Sequence, residues 1–317
     1  MSQKIAFIFP GQASQFVGMA KDLFEEHAVA REMFQQANDA LGFDIQKICF
    51  DGPLEELTKT SITQPAILIH SAIGARLLQE KDILPAMAAG HSLGEYSALV
   101  AAGALSFQEA LRLVKLRGEL MHQAGIENPG TMAAIMGLAP EEVEALCNEV
   151  TAMLAAESRV VQAANFNSRE QTVISGHVGA VEKAMALAKE RGAKLAKQLV
   201  VGGAFHSPLM AGARAGLEQA LAAAHFQEAR CPVYTNVTAK PEQQAAVLRE
   251  RLGQQLISPV RWFTTIENMI AEGAEAFYEI GPGKVLAGLN KRINKEYAVI
   301  TAGTAAEVQT LLAGAAK

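Results

Sequence analysis

The chain has 317 residues, 50% hydrophobic and 19% charged, which is enough apolar material for a large core and too little charge for a disordered polyelectrolyte. Lys and Arg total 28 and Asp and Glu 33, and the resulting net charge of −5 argues against non-specific nucleic-acid binding. Uncharged stretches such as 62–75 fall short of the roughly 18–20 apolar residues that span a bilayer. The first apolar run is too short for a secretory signal. The three scattered cysteines, Cys49, Cys147 and Cys231, exclude a disulfide framework and give no zinc-site spacing. The expectation is a globular, cytoplasmic protein with no membrane or nucleic-acid partner.

Residues 5–9 form an apolar run stopped by Pro10-Gly11, which predicts a buried parallel strand. Over 20–41, Leu23, Met33, Phe34, Ala37 and Leu41 recur at helical spacing, and Gly42 supplies a stop. Residues 63–78 predict a helix with Pro65 in its first turn. A strand is predicted at 86–90 and helices at 97–102 and 107–123. Short apolar strands alternating with helices define an α/β class with a mainly parallel sheet.

The pattern changes after Asn128-Pro129-Gly130. Strands at 131–138, 160–165, 171–175 and 194–201, with helices at 140–150 and 181–191, give the order β-α-β-β-α-β of a ferredoxin-like module. An inserted subdomain is therefore placed at 129–203, between the two parts of a catalytic domain, 1–128 and 204–317. Beyond it, helices are predicted at 208–224 and near 241–256, strands at 233–237 and 276–280, and a surface helix over 304–317.

Gly90-His91-Ser92-Leu93-Gly94 matches G-x-S-x-G, the nucleophile elbow. Its glycines let the chain turn sharply from strand to helix, leaving Ser92 Oγ exposed at a helix N-terminus that favours a developing oxyanion. A serine nucleophile needs a base. His206, in Gly203-Ala204-Phe205-His206-Ser207-Pro208, lies in a loop at the seam after the insertion. The other six histidines sit within or beside helical patterns, and none pairs at metal-binding spacing. Arg117 lies inside an amphipathic helix. It reads either as a solvated helix charge or as a planar fork for a substrate carboxylate. Gly281-Pro282-Gly283 lacks phosphate-loop spacing and predicts a turn.

Taken in order, these segments resemble the malonyl-coenzyme A:acyl carrier protein transacylases and the acyltransferase domains of polyketide synthases. Phe9-Pro10-Gly11-Gln12 with Ser14-Gln15, Ser61-Ile62-Thr63-Gln64-Pro65-Ala66 and Gly90-His91-Ser92-Leu93-Gly94-Glu95 are similar to successive family motifs. So are Arg117-Gly118, Asn165-Phe166-Asn167-Ser168, Ala204-Phe205-His206-Ser207, Gln254-Gln255-Leu256 with Pro259-Val260-Arg261-Trp262, and Gly281-Pro282-Gly283-Lys284-Val285-Leu286. The resemblance runs over about residues 4–293. One position departs from it: Ala13 stands where many members have glycine, and alanine is costly there if the loop needs φ > 0.

The resemblance implies a hydrolase-like α/β domain carrying a ferredoxin-like insertion. It implies Ser92 as nucleophile, His206 as base and acid, and Arg117 as anchor for the malonate carboxylate. The backbone N–H groups of Gln12 and Leu93 become the oxyanion hole. No Asp completes a triad; the Gln255 carbonyl orients the imidazole, with Asn165 as a further supporting residue. The reaction implied is ping-pong malonyl transfer from malonyl-coenzyme A to acyl carrier protein for fatty-acid synthesis, with no cofactor beyond the thioester substrate. A monomer is expected. Carrier proteins are acidic, so basic docking residues are expected among Lys189, Arg191, Lys194, Lys197, Lys291 and Arg292, or these form a solvated face. The alternatives are a free-standing acyltransferase serving a polyketide synthase, a serine thioesterase or hydrolase, and a non-catalytic carrier-binding module.

Overall fold

The computed structural model describes residues 3–156, 158 and 160–315. Ten strands form two sheets: β1 (Ile5–Phe9), β2 (Met87–Gly90), β3 (Thr131–Met136), β4 (Val161–Ser168), β5 (Gln171–Gly176), β6 (Leu195–Gln198), β7 (Val233–Tyr234), β8 (Pro241–Glu242), β9 (Ala276–Ile280) and β10 (Val299–Ala302). The first sheet has the order β10-β9-β1-β2-β7-β8. All its pairs are parallel except the edge pair β7–β8. In β1, successive side chains enter opposite layers. Phe7 and Phe9 pack with the helices Thr60–Gln79 and Phe107–Glu127, whereas Ala6 and Ile8 pack with Trp262 and its helix. A strand buried on both faces reads as an unbroken apolar run, which is why Ile5–Phe9 does not alternate.

The second sheet, β4-β5-β3-β6, is antiparallel throughout and lies within the stretch expected to hold the insertion. The helices Pro140–Met153 and Val178–Glu190 cover it, with a separate core around Ile135, Val143, Leu146, Ile174 and Val181. The second sheet is bridged to the catalytic region at Val260, which lies outside both sheets. Its N–H donates to Ala164 O at 2.8 Å and its carbonyl accepts from Phe166 N–H at 2.8 Å, tying β4 to the segment before Trp262.

Several boundaries differ from expectation for local reasons. The helix expected over 20–41 is two helices, Lys21–Glu26 and Ala28–Leu41, because His27 is extended. The helix around Pro65 begins at Thr60, so Pro65 lies beyond its first turn. The helix after Ser92 starts at Gly94 rather than near residue 97. Strand β7 is only two residues long, since Thr235 and Asn236 leave the sheet. The final helix, Ala305–Ala315, buries Ala305, Val308 and Leu311, so only part of it faces solvent; residues 316–317 lie outside the described residues. Among the described residues, no helix is long and apolar enough to cross a membrane.

Candidate active site

Strand β2 ends at Gly90, and the helix Gly94–Ala101 begins four residues later. The turn between them is as tight as the motif implies. A Cβ on Gly90 would overlap the Gly94 carbonyl, and one on Gly94 would overlap Phe9 O. Ser92 takes φ +53° at the apex, a left-handed conformation that side chains disfavour by roughly 1–2 kcal/mol. Two carboxamides hold it there. Asn236 Oδ1 accepts from Ser92 N–H at 2.7 Å, and Gln255 Nε2 donates to Ser92 O at 3.0 Å. Asn236 also donates from Nδ2 to Gly90 O at 2.6 Å, so it spans the whole elbow.

His206 likewise sits at a positive φ, +56°. It is 3% exposed, and its Nε2 lies 2.7 Å from Ser92 Oγ. Its Nδ1 faces two carbonyls, Gln255 O at 2.9 Å and Ser258 O at 3.2 Å. Carbonyls only accept, so Nδ1 carries the proton and Nε2 is left as the acceptor for the serine hydroxyl. Among the described residues, no carboxylate is hydrogen-bonded to this histidine. Burial, reinforced by the nearby Arg117 charge, pushes His206 down to about 3, so the imidazole is neutral at physiological pH.

Arg117 is fully buried rather than solvated on its helix. Nη1 donates to Gln64 Oε1 at 2.8 Å, and Nη2 donates to Gln255 Oε1 at 3.0 Å and to Ser92 Oγ at 3.1 Å. Its Nε has no partner among the described residues, and the guanidinium lies over the Tyr96 ring at 5.8 Å. A buried guanidinium held by neutral groups, with Nη2 against the Ser92 hydroxyl, suits a carboxylate ligand. Burial also pushes the Glu95 carboxyl up to about 7, against the opposing pull of Gln255, Asn236 and Arg117.

The backbone N–H of Ser92 is spent on Asn236, whereas those of Gln12 and Leu93 have no acceptor among the described residues. These are the two amides that the family resemblance implies for an oxyanion hole. The loop carrying Gln12 is tied by Ser14 Oγ, which donates to Gly11 O at 2.7 Å, and by Gln15 Oε1, which accepts from Ala13 N–H at 2.8 Å. Ala13 adopts φ +81°, so alanine does occupy a left-handed position.

Asn165, the further supporting residue that the resemblance implies, is buried on β4 and bridges to Val260; among the described residues no side-chain hydrogen bond joins it to His206. Gln162, on the same strand, makes the contact instead; its Nε2 donates to His206 O at 2.8 Å and to Ile257 O at 3.2 Å. From the same motif, Asn167 Oδ1 pairs with His91 Nε2 at 2.9 Å. His91 therefore lies at the site rather than in a bland helical setting. Gln162 and Asn236 carry no spacing signal; only their place in the fold reveals them. Lys291 and Arg292 are exposed in the last turn of the helix Val285–Ile293. Lys189, Arg191, Lys194 and Lys197 are also exposed, and Arg191 pairs with Glu149. A cavity of about 700 Å³ lined by Gln36, Arg76, Gln79 and Arg230 includes neither dyad residue, so the site is located by its geometry rather than by volume.

A serine–histidine pair on a strand–helix elbow, two free amides beside it and a buried guanidinium define an acyl-transfer site on an α/β scaffold. Residues 6–311 match the acyl transferase domain family, and the chain belongs to that family. It is an acyltransferase. It is 46% identical over 297 residues to the malonyl CoA-acyl carrier protein transacylase of Bacillus subtilis strain 168, covering 94% of this chain and 92% of that protein. The solved malonyl CoA-acyl carrier protein transacylase of Coxiella burnetii matches with a TM-score of 0.94 and 41% identity, covering 99% of this chain and 98% of that one. A malonyl-transacylase solved in complex with its type II polyketide synthase acyl carrier protein matches at 0.93 and 43% identity, covering 99% of this chain and all of that one.

Proposed function

We propose that this protein transfers the malonyl group from malonyl-coenzyme A to the phosphopantetheine thiol of acyl carrier protein, supplying fatty-acid biosynthesis. The carrying observation is the contact of Ser92 Oγ with both His206 Nε2 and Arg117 Nη2. A hydroxyl, an imidazole and a guanidinium around one point support the roles of nucleophile, base and carboxylate anchor.

His206 Nε2 takes the Ser92 proton as Oγ attacks the thioester carbonyl. The oxyanion forms against the N–H groups of Gln12 and Leu93; one such donor contributes roughly 2.7–4 kcal/mol in related chemistry. The C–S bond then breaks, and His206 returns the proton to the coenzyme A sulfur. The carrier thiol next attacks malonyl-Ser92, giving its proton to His206, which passes it to Ser92 Oγ as the ester breaks. Arg117 holds the malonate carboxylate throughout. Acetyl would leave it buried without that partner, which disfavours the wrong acyl group. The reaction needs no cofactor besides its thioester substrate.

The dyad, Arg117 and both amides come from one chain, which supports a monomeric working unit. A cytoplasmic location belongs to this reading, as does docking of an acidic carrier on basic residues such as Lys291 and Arg292. Service to a polyketide synthase is the second reading, favoured by likeness to the transacylase solved with such a carrier. A plain hydrolase has no use for a buried Arg117.

Intact mass after incubation with malonyl-coenzyme A tests the reading. One malonyl is expected on the wild type and none on Ser92→Ala, with acyl carrier protein then removing the adduct and gaining the malonyl itself. Free malonate accumulating without transfer to the carrier would favour the hydrolase.

A further inference from the structure

Behind the site lies a buried carboxylate that the reaction as written does not use. Glu95 is 1% exposed, and its Oε2 accepts from Gln255 Nε2 at 2.7 Å and from Asn236 N–H at 3.1 Å. Gln255, itself fully buried, is the hub of the site. Its Nε2 also donates to Ser92 O, its Oε1 accepts from Arg117, and its backbone carbonyl accepts from His206.

A carboxamide has a donor end and an acceptor end of nearly the same shape, so its direction is fixed only by its partners. Glu95 Oε2 accepts from both donors whether the carboxyl is ionised or carries its proton on Oε1. Glu95 therefore draws the NH₂ end of Gln255 toward itself and turns Oε1 toward Arg117. The reversed amide would set its NH₂ against the guanidinium and its oxygen against both Glu95 and Ser92 O. The same Glu95 oxygen holds the backbone of Asn236, whose side chain grips Ser92 N–H and Gly90 O.

Glu95 also does not touch Arg117. No ion pair to Arg117 forms among the described residues, and its side-chain hydrogen-bond partners, Gln64, Gln255 and Ser92, are all neutral. A carboxylate paired directly with Arg117 would have to be displaced by the substrate. Held one residue away, Glu95 leaves Arg117 without a carboxylate partner that the substrate would have to displace.

We propose that Glu95 is a positioning residue for acyl selectivity: it fixes the direction of the Gln255 carboxamide, which keeps Arg117 aimed at the substrate carboxylate without occupying it. This rests on the reading of Arg117 as the malonate anchor.

The test compares Glu95→Gln with Glu95→Met, each alone and with Gln255→Ala, by kcat/KM for malonyl- and acetyl-coenzyme A. Both side chains approximate the volume of glutamate, but only glutamine keeps an acceptor oxygen. Glu95→Gln should hold the malonyl-to-acetyl ratio within about threefold and Glu95→Met should lower it about tenfold, a coupling within the usual range for residues in one network. With Gln255→Ala the same Met substitution should change the ratio by less than about twofold. Three results overturn the inference. They are equal falls in the ratio for both variants, equal loss of both activities in Glu95→Met with the ratio unmoved, or an undiminished effect without the Gln255 side chain. If Glu95→Met does not fold, a tenfold fall in Glu95→Gln still overturns it. Arg117→Ala separates the two readings. An unmoved ratio there removes the anchor itself, whereas a collapsed ratio beside an unmoved Glu95→Met removes only Glu95.

Discussion

Ser92 and His206 meet at 2.7 Å with nearly the same backbone conformation, φ +53° and +56°, yet different parts of the molecule hold them there. Ser92 is held within the parallel-sheet domain, by an elbow whose glycines lie two residues to either side and by Asn236 and Gln255. His206 is held across the seam. Gln162 from β4 takes its carbonyl, and the 255–258 segment takes its Nδ1 proton. A non-glycine residue in this conformation persists only when its surroundings over-determine it. The antiparallel sheet thereby helps to hold His206, through Gln162 of β4 on its carbonyl.

Removing one clamp from each half breaks the symmetry. Asn236→Ala strips a buried acceptor from Ser92 N–H and a donor from Gly90 O, and each unmet buried group costs about 1–3 kcal/mol. If half of the combined cost is felt in the transition state, kcat/KM falls about 30-fold, at 1.36 kcal/mol per tenfold. Gln162→Ala frees only carbonyls, which tolerate a missing partner better, and its expected loss is about tenfold. Steady-state kinetics on both variants, with circular dichroism to check folding, decides. A larger loss from Gln162→Ala would make the seam, not the elbow, the more demanding support.

A smaller effect sharpens the electrostatic side. With its pKa depressed, His206 stays a neutral base above about 3, and its activity is lost only as pH falls through that folded value. Burial is the larger cause and Arg117 the next. Arg117→Ala removes a positive charge that opposes imidazolium, so the folded pKa rises and the acid limb of kcat/KM moves to higher pH. The profile for acetyl-coenzyme A in wild type and variant checks this, because acetyl makes no use of the anchor. An unmoved limb would mean that burial alone sets the basicity of His206.

The two halves also differ in how far they could be read from the amino acids. The elbow is written in five consecutive residues, because a tight strand–helix turn constrains its own neighbours. The antiparallel module is legible from alternating periods and turn residues over 131–198. The clamps are not legible. Asn236 is 144 positions from Ser92 and Gln162 is 44 from His206, and each looks like an ordinary polar residue until the sheet order brings it in. Asn165, in a recognisable motif, bridges to Val260 through its backbone, while Gln162, three residues earlier on the same strand, bonds to His206 O. Arg117 is ambiguous for the same reason: its helix is amphipathic, and only the packing against Gln64 and Tyr96 makes it interior. The helix Trp262–Ala271 is hidden by its opening Trp-Phe-Thr-Thr, a composition that favours strands.

The loop that carries Gln12 and Ala13 yields the smallest effect and the most direct check on local strain. Ala13 is exposed at φ +81°, so its methyl group contributes no packing that would compensate for the conformation. Left-handed φ at a non-glycine residue costs about 1–2 kcal/mol. Glycine removes that cost but gives the unfolded chain more freedom, which takes back about 0.4–1 kcal/mol. Ala13→Gly should therefore stabilise the protein by up to about 1 kcal/mol, a rise in Tm of roughly 2 °C for a chain of this size. Catalysis sharpens the interpretation. If the hydrogen bonds from Ala13 N–H to Gln15 and from Ser14 to Gly11 already fix the loop, relieving the strain leaves kcat unchanged while Tm rises. If kcat rises with Tm, the strain was displacing the Gln12 N–H from the developing oxyanion. A fall in Tm would mean that the wild-type loop carries no strain at Ala13.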